Sequence, residues 1–182
     1  MEKKADSINS RGKIFLYFWF FALLGHLLEV VWVWFTKSGF NPFNIPTITP
    51  LAVPYGLGVV AVITCIHPIY KKFKRPNILL IFILSTLVTA CVEFLSAAVI
   101  VAYLGYNPFW DYSALPYNFM GYICLKNVLL FGLIATLFIH FLFPITERII
   151  QKHSVRRIND LSALLFATYV IDLIIVVVGR FI

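Results

Sequence analysis

The chain has 182 residues, of which 61% are hydrophobic and only 13% are charged. Several uninterrupted apolar stretches reach about 20 residues, which excludes a soluble globular protein and is typical of one membrane domain over residues 1–182. The formal net charge of +7 does not indicate nucleic-acid binding, because the basic residues lie in short runs between apolar spans. The sequence contains no Gly-x-x-x-x-Gly-Lys-Ser/Thr phosphate loop, so any ATP-driven work requires a partner.

Five transmembrane helices are predicted in chain order. A helix rises about 1.5 Å per residue, so about 20 residues cross the hydrocarbon core. Helices satisfy their own backbone in lipid, and the alternating pattern of a membrane barrel is absent from this sequence. We therefore predict an all-α polytopic membrane helix bundle. Its predicted spans are residues 14–35, 51–70, 78–104, 122–144 and 161–178.

A short motif occurs twice. Gly39-Phe40-Asn41-Pro42-Phe43 returns as Gly105-Tyr106-Asn107-Pro108-Phe109, and each copy follows an apolar helix that carries one glutamate. Duplicated helix, loop and helix units in a membrane usually surround a site. We predict two parallel repeats, residues 14–70 and 78–144, and an additional C-terminal helix at residues 161–178.

The basic residues predict the orientation. Most of the 15 Lys and Arg lie in the N-terminal segment and in the second and fourth connections. The positive-inside rule then places the N-terminus in the cytoplasm, the C-terminus outside the cell membrane, and both Asn-Pro-Phe loops outside.

Three carboxylates, Glu29, Glu93 and Asp172, lie inside the predicted spans. A charge at the centre of a bilayer is costly, so such residues face the bundle interior and are paired, protonated or functional. One interpretation is that they are protonated or hydrogen-bonded packing residues. The other is that, with His26 and Lys126, they line an outward-facing acidic cavity that admits a cationic, protonated or hydroxyl-rich molecule.

The two external loops are rich in proline and aromatic residues. Aromatic rings favour the headgroup level, so simple anchoring is one interpretation. The alternative is a re-entrant cap over the cavity, in which Asp111, Ser113 and Asn118 hydrogen-bond to the loop backbone. On this interpretation we predict that Asp111, Tyr112 and Asn118 also bind the small molecule. No metal-ligand cluster and no Ser-His or Cys-His arrangement is evident in the sequence, so we predict no catalytic residue, no metal and no cofactor.

Residues 110–125, Trp-Asp-Tyr-Ser-Ala-Leu-Pro-Tyr-Asn-Phe-Met-Gly-Tyr-Ile-Cys-Leu, resemble the signature of the putative ABC transporter type IV, or CmpB-like, membrane proteins of bacteria. Gly25 with Glu29, and residues 50–58, resemble two further markers of that family. The chain differs at Thr49, where the family commonly has glycine, and at Lys126-Asn127, where it tends to be neutral. The resemblance implies a permease role.

Three functions remain open at this stage. We favour a transport or substrate-capture component that binds an unidentified small molecule and works with a separate ATPase or another membrane subunit. The second is a membrane-embedded enzyme acting on a lipid or lipid-linked group, with Glu29 or Glu93 as general base and His26 as acid or orienter. The third is an assembly or regulatory protein. In each case we predict that the lipid bilayer is a partner and that nucleic acid is not. Whether the chain forms a homo-oligomer is left open by the sequence.

Overall fold

The computed structural model describes residues 10–36, 49–73 and 77–178, and most of these are helical. Within this part of the chain, five helical segments are long and apolar enough to cross a membrane. They confirm the predicted all-α bundle of membrane-spanning helices. The first copy of the Asn-Pro-Phe motif, residues 39–43, lies outside the described residues. The five segments are Arg11–Phe35, Val53–Tyr70, Ile78–Leu104, Leu125–Gln151 and Val155–Ile175.

Seven α-helices, one π-helical turn and one small hairpin make up the described elements. The helices are α1 (Ser10–Thr36), α2 (Val53–Cys65), α3 (His67–Lys72), α4 (Ile78–Leu104), α5 (Leu125–Leu137), α6 (Phe143–Gln151) and α7 (Val155–Val178). The π-helical turn, Phe138–Leu142, joins α5 to α6 in one continuous span. Strands β1 (Asn118–Phe119) and β2 (Ile123–Cys124) pair antiparallel between α4 and α5.

Several predicted helix boundaries are wrong, and the largest difference is at the end of the fourth span, which lies at Gln151 and not at residue 144. The fourth span begins at Leu125 and not at residue 122, because Ile123 and Cys124 pair with β1 before the helix starts. The fifth helix begins at Val155 and not at residue 161. Its first turns carry Arg156 and Arg157, and a hydropathy pattern marks only the apolar part of such a helix.

Local sequence fixes both ends of α4. Asn77 is the N-cap, and its side chain accepts a hydrogen bond from the backbone N–H of Leu79 at 2.9 Å. Gly105 ends the helix with φ 83°, a left-handed conformation that glycine adopts without a steric penalty, and its N–H donates to the carbonyl oxygen of Val101. The second Asn-Pro-Phe motif therefore begins at a helix C-cap.

The described chain forms two compact units, one up to Gly56 and from Glu147 onward, the other Leu57–Thr146. In the first unit α1 packs on α7. The Phe15 and Phe166 rings meet edge to face at 5.3 Å, and the Ser162 hydroxyl donates to the carbonyl oxygen of Gly12 at 3.0 Å. A hydroxyl on one helix that bonds to the backbone of the other requires a close approach of the two helices.

Two further contacts hold the first unit together. Glu147 accepts hydrogen bonds from Lys13 Nζ at 2.6 Å and from the Tyr17 hydroxyl at 2.7 Å, and both partners lie on α1. A Cβ atom at Gly25 would lie 2.5 Å from Cβ of Tyr55, so only glycine fits there. This close contact brings together two residues of the quoted markers, Gly25 and Tyr55.

The second unit is built on the packing of α4 against α5. Ser85, Glu93 and Ala97 are buried on one face of α4, because residues four or eight apart lie on the same side of a helix. Gly132 on α5 lies against Thr86 on α4, so closely that a Cβ atom at Gly132 would be 2.9 Å from Cα of Thr86. This approach brings the polar face of α4 against α5 and positions the segment that connects the two helices.

Candidate functional site

The segment between α4 and α5, residues 105–124, is a hydrogen-bonded structure that we call the α4–α5 loop. Asn107 Oδ1 accepts from the backbone N–H of Phe109 at 3.0 Å. The Trp110 indole Nε1 donates to the carbonyl oxygen of Tyr122 at 3.0 Å, which fixes its ring against the hairpin. The Tyr112 N–H donates to the carbonyl oxygen of Gly121 at 2.9 Å. The loop therefore has a defined backbone although it contains few regular elements.

Asn118 organises the tip of the α4–α5 loop. Its amide nitrogen donates to the carbonyl oxygens of Leu115 at 2.7 Å and Ser113 at 3.2 Å, and its oxygen accepts from the Gly121 N–H at 3.1 Å. Three bonds from one side chain satisfy backbone groups that no helix or strand could serve. The expected hydrogen bonds between Asn118 and the loop backbone are thus present.

Asp111 has a similar local role and remains exposed. Its Oδ1 accepts from the Ser113 N–H at 2.9 Å, and the backbone and side-chain hydrogen bonds of Ser113 hold the Asp111 pKa below its ordinary value. A Cβ atom at Gly121 would lie 3.0 Å from this oxygen, and Gly121 has φ 71°, so the position requires glycine. The Asp111 carboxylate therefore stays negative near neutral pH.

A cavity of about 370 Å³ opens beside the α4–α5 loop. The rings of Tyr106, Trp110 and Tyr122 line it together with Asp111, Asn107 and Met120. The Asn107 Nδ2 atom is buried and has no hydrogen-bond partner among the described residues. Met120 has φ 56°, which is uncommon for a residue with a side chain and marks a locally strained backbone. The cavity thus combines one exposed carboxylate with three aromatic rings.

Beneath the loop, Tyr112 connects it to the buried face of α4. The Tyr112 hydroxyl donates to Glu93 Oε1 at 3.0 Å, and Glu93 is only 7% exposed. The Asn127 side chain, in the first turn of α5, lies near the same hydroxyl. Burial, with a smaller effect from the Glu93 charge, raises the Tyr112 pKa, so the hydroxyl keeps its proton and remains a donor.

The structure brings together only some of the predicted site residues. Glu93, Tyr112, Asp111 and Asn118 lie in one connected network in the second unit. Lys126 is exposed in the first turn of α5. Asn127 was not among the predicted site residues, although its position as a polar residue at the start of a span was a usable signal.

The other three predicted residues belong to the first unit. His26 is buried and Glu29 is half-buried on α1. Asp172 is buried on α7, where its Oδ2 accepts hydrogen bonds from the Thr49 hydroxyl and from the Thr49 N–H, the latter at 3.2 Å. The Thr49 hydroxyl makes a bond that glycine, expected there from the resemblance, could not make. The prediction of one cavity that collects all the acids stays a prediction.

No group of three or more His, Cys, Asp or Glu side chains that could hold a metal occurs in residues 10–36, 49–73 and 77–178. Among known families, the model described as Putative ABC-transporter type IV matches residues 16–177. No curated protein and no solved structure matches the chain.

Proposed function

The chain belongs to the putative ABC-transporter type IV family, and we propose that this multi-pass membrane protein is a permease-like or substrate-capture component of a transport system. The proposal includes the cell membrane as its location and an external position for the α4–α5 loop. It rests on the positive-inside distribution of Lys and Arg and on the cavity beside that loop.

The cavity is the observation that carries the proposal. Its volume of about 370 Å³ lies within the range of small-molecule sites. A negative Asp111 and the aromatic rings of Tyr106, Trp110 and Tyr122 attract cations. The chemistry therefore fits a small organic cation.

The remaining predicted residues have supporting places in this proposal. Glu93 and Tyr112 hold the loop from below, and Asn118 holds its tip. We retain His26, Glu29, Lys126 and Asp172 as predicted polar positions of the transport path, on the argument that polar groups inside a membrane protein commonly mark such paths. These residues are to be tested after the cavity itself.

Binding of choline to the purified protein in detergent tests the cavity directly. Isothermal titration should show saturable binding of choline and weaker binding of dimethylbutanol, its uncharged carbon analogue. Asp111→Asn should weaken choline binding about fivefold, the effect of losing one exposed charge pair near 4 Å. Asp160→Asn removes another exposed aspartate, on α7, and should leave binding unchanged. Equal binding of choline and its analogue, or unaltered choline affinity in Asp111→Asn, would refute the assignment.

ATP-driven transport also requires a subunit that binds ATP, and this sequence contains no phosphate-binding loop. We propose a separate ATPase or another membrane subunit as partner. Native mass spectrometry of the protein extracted from its own membranes should show a complex with such a subunit. Detection of the chain alone, under conditions that keep a known membrane complex intact, would count against a shared transport assembly.

The orientation can be tested with fusions to each terminus. A reporter that is active only in the cytoplasm should be active at the N-terminus and inactive at the C-terminus, because the basic residues flank the cytoplasmic ends of the spans. The opposite pattern would place the α4–α5 loop in the cytoplasm and would contradict its role in capturing an external molecule.

A further inference from the structure

Glu93 is a carboxylate in the interior of a membrane-spanning helix, and nothing in the described structure balances its charge. Its Oε1 accepts from Tyr112, whereas its Oε2 is buried and has no hydrogen-bond partner among the described residues. No described basic side chain forms an ion pair with it. A buried and unpaired carboxylate is strongly unfavourable in a membrane, so Glu93 requires a bound positive species.

The groups around Glu93 favour a proton over a metal ion. The elements packed against this part of α4 contribute the titratable or polar residues Tyr112, Cys124, Lys126 and Asn127. Tyr112 uses its hydrogen on Oε1, and Lys126 is exposed. Hard metal ions take about six or more oxygen ligands, which one carboxylate and one hydroxyl do not supply. A proton needs only the free oxygen, Oε2.

Further polar atoms continue along the same face of α4. The hydroxyl oxygens of Ser85 and Thr86 are buried and have no partner in the described part of the chain. Thr89, between them and Glu93, bonds to its own helix through the carbonyl oxygen of Ser85 at 2.9 Å. Residues spaced by four lie on one side of a helix, so unused hydrogen-bonding capacity extends from Glu93 toward the start of α4.

We propose that Glu93 is a proton-binding site, in which Oε2 takes up and releases one proton while Tyr112 keeps its own hydrogen on Oε1. Uptake converts the carboxylate to the neutral acid and breaks no other bond. The unpartnered hydroxyls of Ser85 and Thr86 extend the polar face of α4 from Glu93 toward the start of the helix. This site does not depend on the ligand in the cavity, so the two assignments can fail separately.

Labelling with dicyclohexylcarbodiimide tests the proposal, because this apolar reagent modifies protonated carboxyl groups within membranes. The intact wild-type protein is labelled in lipid vesicles over about pH 4 to 9, a range that covers ordinary and buried glutamates. Peptide mass spectrometry then measures the labelled fraction of each carboxylate. We expect Glu93 to be labelled at low pH, to lose labelling as pH rises, and to retain it at higher pH than the exposed Asp160.

Two variants sharpen the result. Glu93→Gln should lose the label at this position. Tyr112→Phe removes the donor to Oε1, which stabilises the charged form, so the pH of half-labelling should rise by about one unit. Absence of Glu93 labelling at every pH, labelling that parallels Asp160, or an unchanged midpoint in Tyr112→Phe would overturn the proposal. If the wild-type protein does not bind choline but Glu93 is labelled as expected, the capture function is refuted and the proton-binding site is supported.

Discussion

The contact between Gly132 and Thr86 allows a sharp prediction about the second unit. Replacing Gly132 with alanine adds one methyl group at the point where α5 approaches α4. The added Cβ would contact Thr86 Oγ1 and would lie 2.8 Å from Thr86 Cβ and 2.9 Å from its Cα. A change of the threonine rotamer can move the hydroxyl away, but it cannot move Cα. The two helices must therefore separate.

The cost follows from these distances. Ordinary van der Waals contact at a Cβ atom begins at 3.4 Å, so the helices must separate by about 0.5 Å at this point. Overpacking of this kind costs about 1–3 kcal/mol. Alanine in a helix interior is favoured over glycine by about 1 kcal/mol, which offsets part of the loss. We expect Gly132→Ala to lower the free energy of unfolding by about 0–2 kcal/mol, the difference between these two effects.

Gly58 provides the matched control. It also lies within a helix, α2, but a Cβ atom there would meet nothing within 4 Å. Gly58→Ala should therefore be neutral or stabilise the protein by about 0.5–1 kcal/mol. Reversible unfolding in mixed detergent micelles, followed by circular dichroism, measures both variants. If Gly132→Ala is as stable as Gly58→Ala, α4 and α5 do not approach as closely as the structure shows.

Three further substitutions test other contacts. Asn118→Ala should speed amide hydrogen exchange in the α4–α5 loop about tenfold. Asn118→Asp loses the two donor bonds but keeps the oxygen that accepts from the Gly121 N–H, so its effect should be smaller; equal exchange in both variants would contradict that acceptor bond. Thr49→Val removes the hydroxyl donor to buried Asp172 and should cost about 1–2 kcal/mol in micellar unfolding, while Thr49→Ser should be close to wild type. Glu147→Gln breaks the half-buried ion pair with Lys13 on α1 and should lower the free energy of unfolding by about 1 kcal/mol. Asp160→Asn breaks an exposed ion pair and should change it little; similar losses in the two variants would show that burial does not strengthen the first pair.

Helix existence and helix faces could be predicted from sequence because each depends on local properties. A span follows from about 20 apolar residues, and burial of Ser85, Glu93 and Ala97 follows from their spacing on one helix. Both signals are read within a single segment. They predicted the five spans without knowledge of which helices are neighbours.

The connections between segments could not be predicted in this way. The bonds from Tyr112 to Glu93 and from Thr49 to Asp172 join residues far apart in sequence, and they depend on how each loop folds. The course of the α4–α5 loop depends on many short-range hydrogen bonds, such as those of Asn118, that no periodic pattern encodes. Sequence therefore indicated which carboxylates are buried, but not their partners.

In each unit a hydroxyl from a segment outside the spans donates to a buried carboxylate, Thr49 to Asp172 in one and Tyr112 to Glu93 in the other. A neutral carboxyl group is a weaker acceptor than a carboxylate, so protonation of Glu93 should weaken its bond to Tyr112 and loosen the α4–α5 loop. Hydrogen exchange at the Gly121 and Ser113 amides, corrected for intrinsic pH dependence, should accelerate over the pH range in which Glu93 becomes labelled. Glu93→Gln, which is neutral at every pH, should lack this acceleration. If Glu93→Gln retains the acceleration of exchange, the α4–α5 loop responds to the protonation of another group. Protonation of Glu93 would then not couple the membrane interior to the cavity.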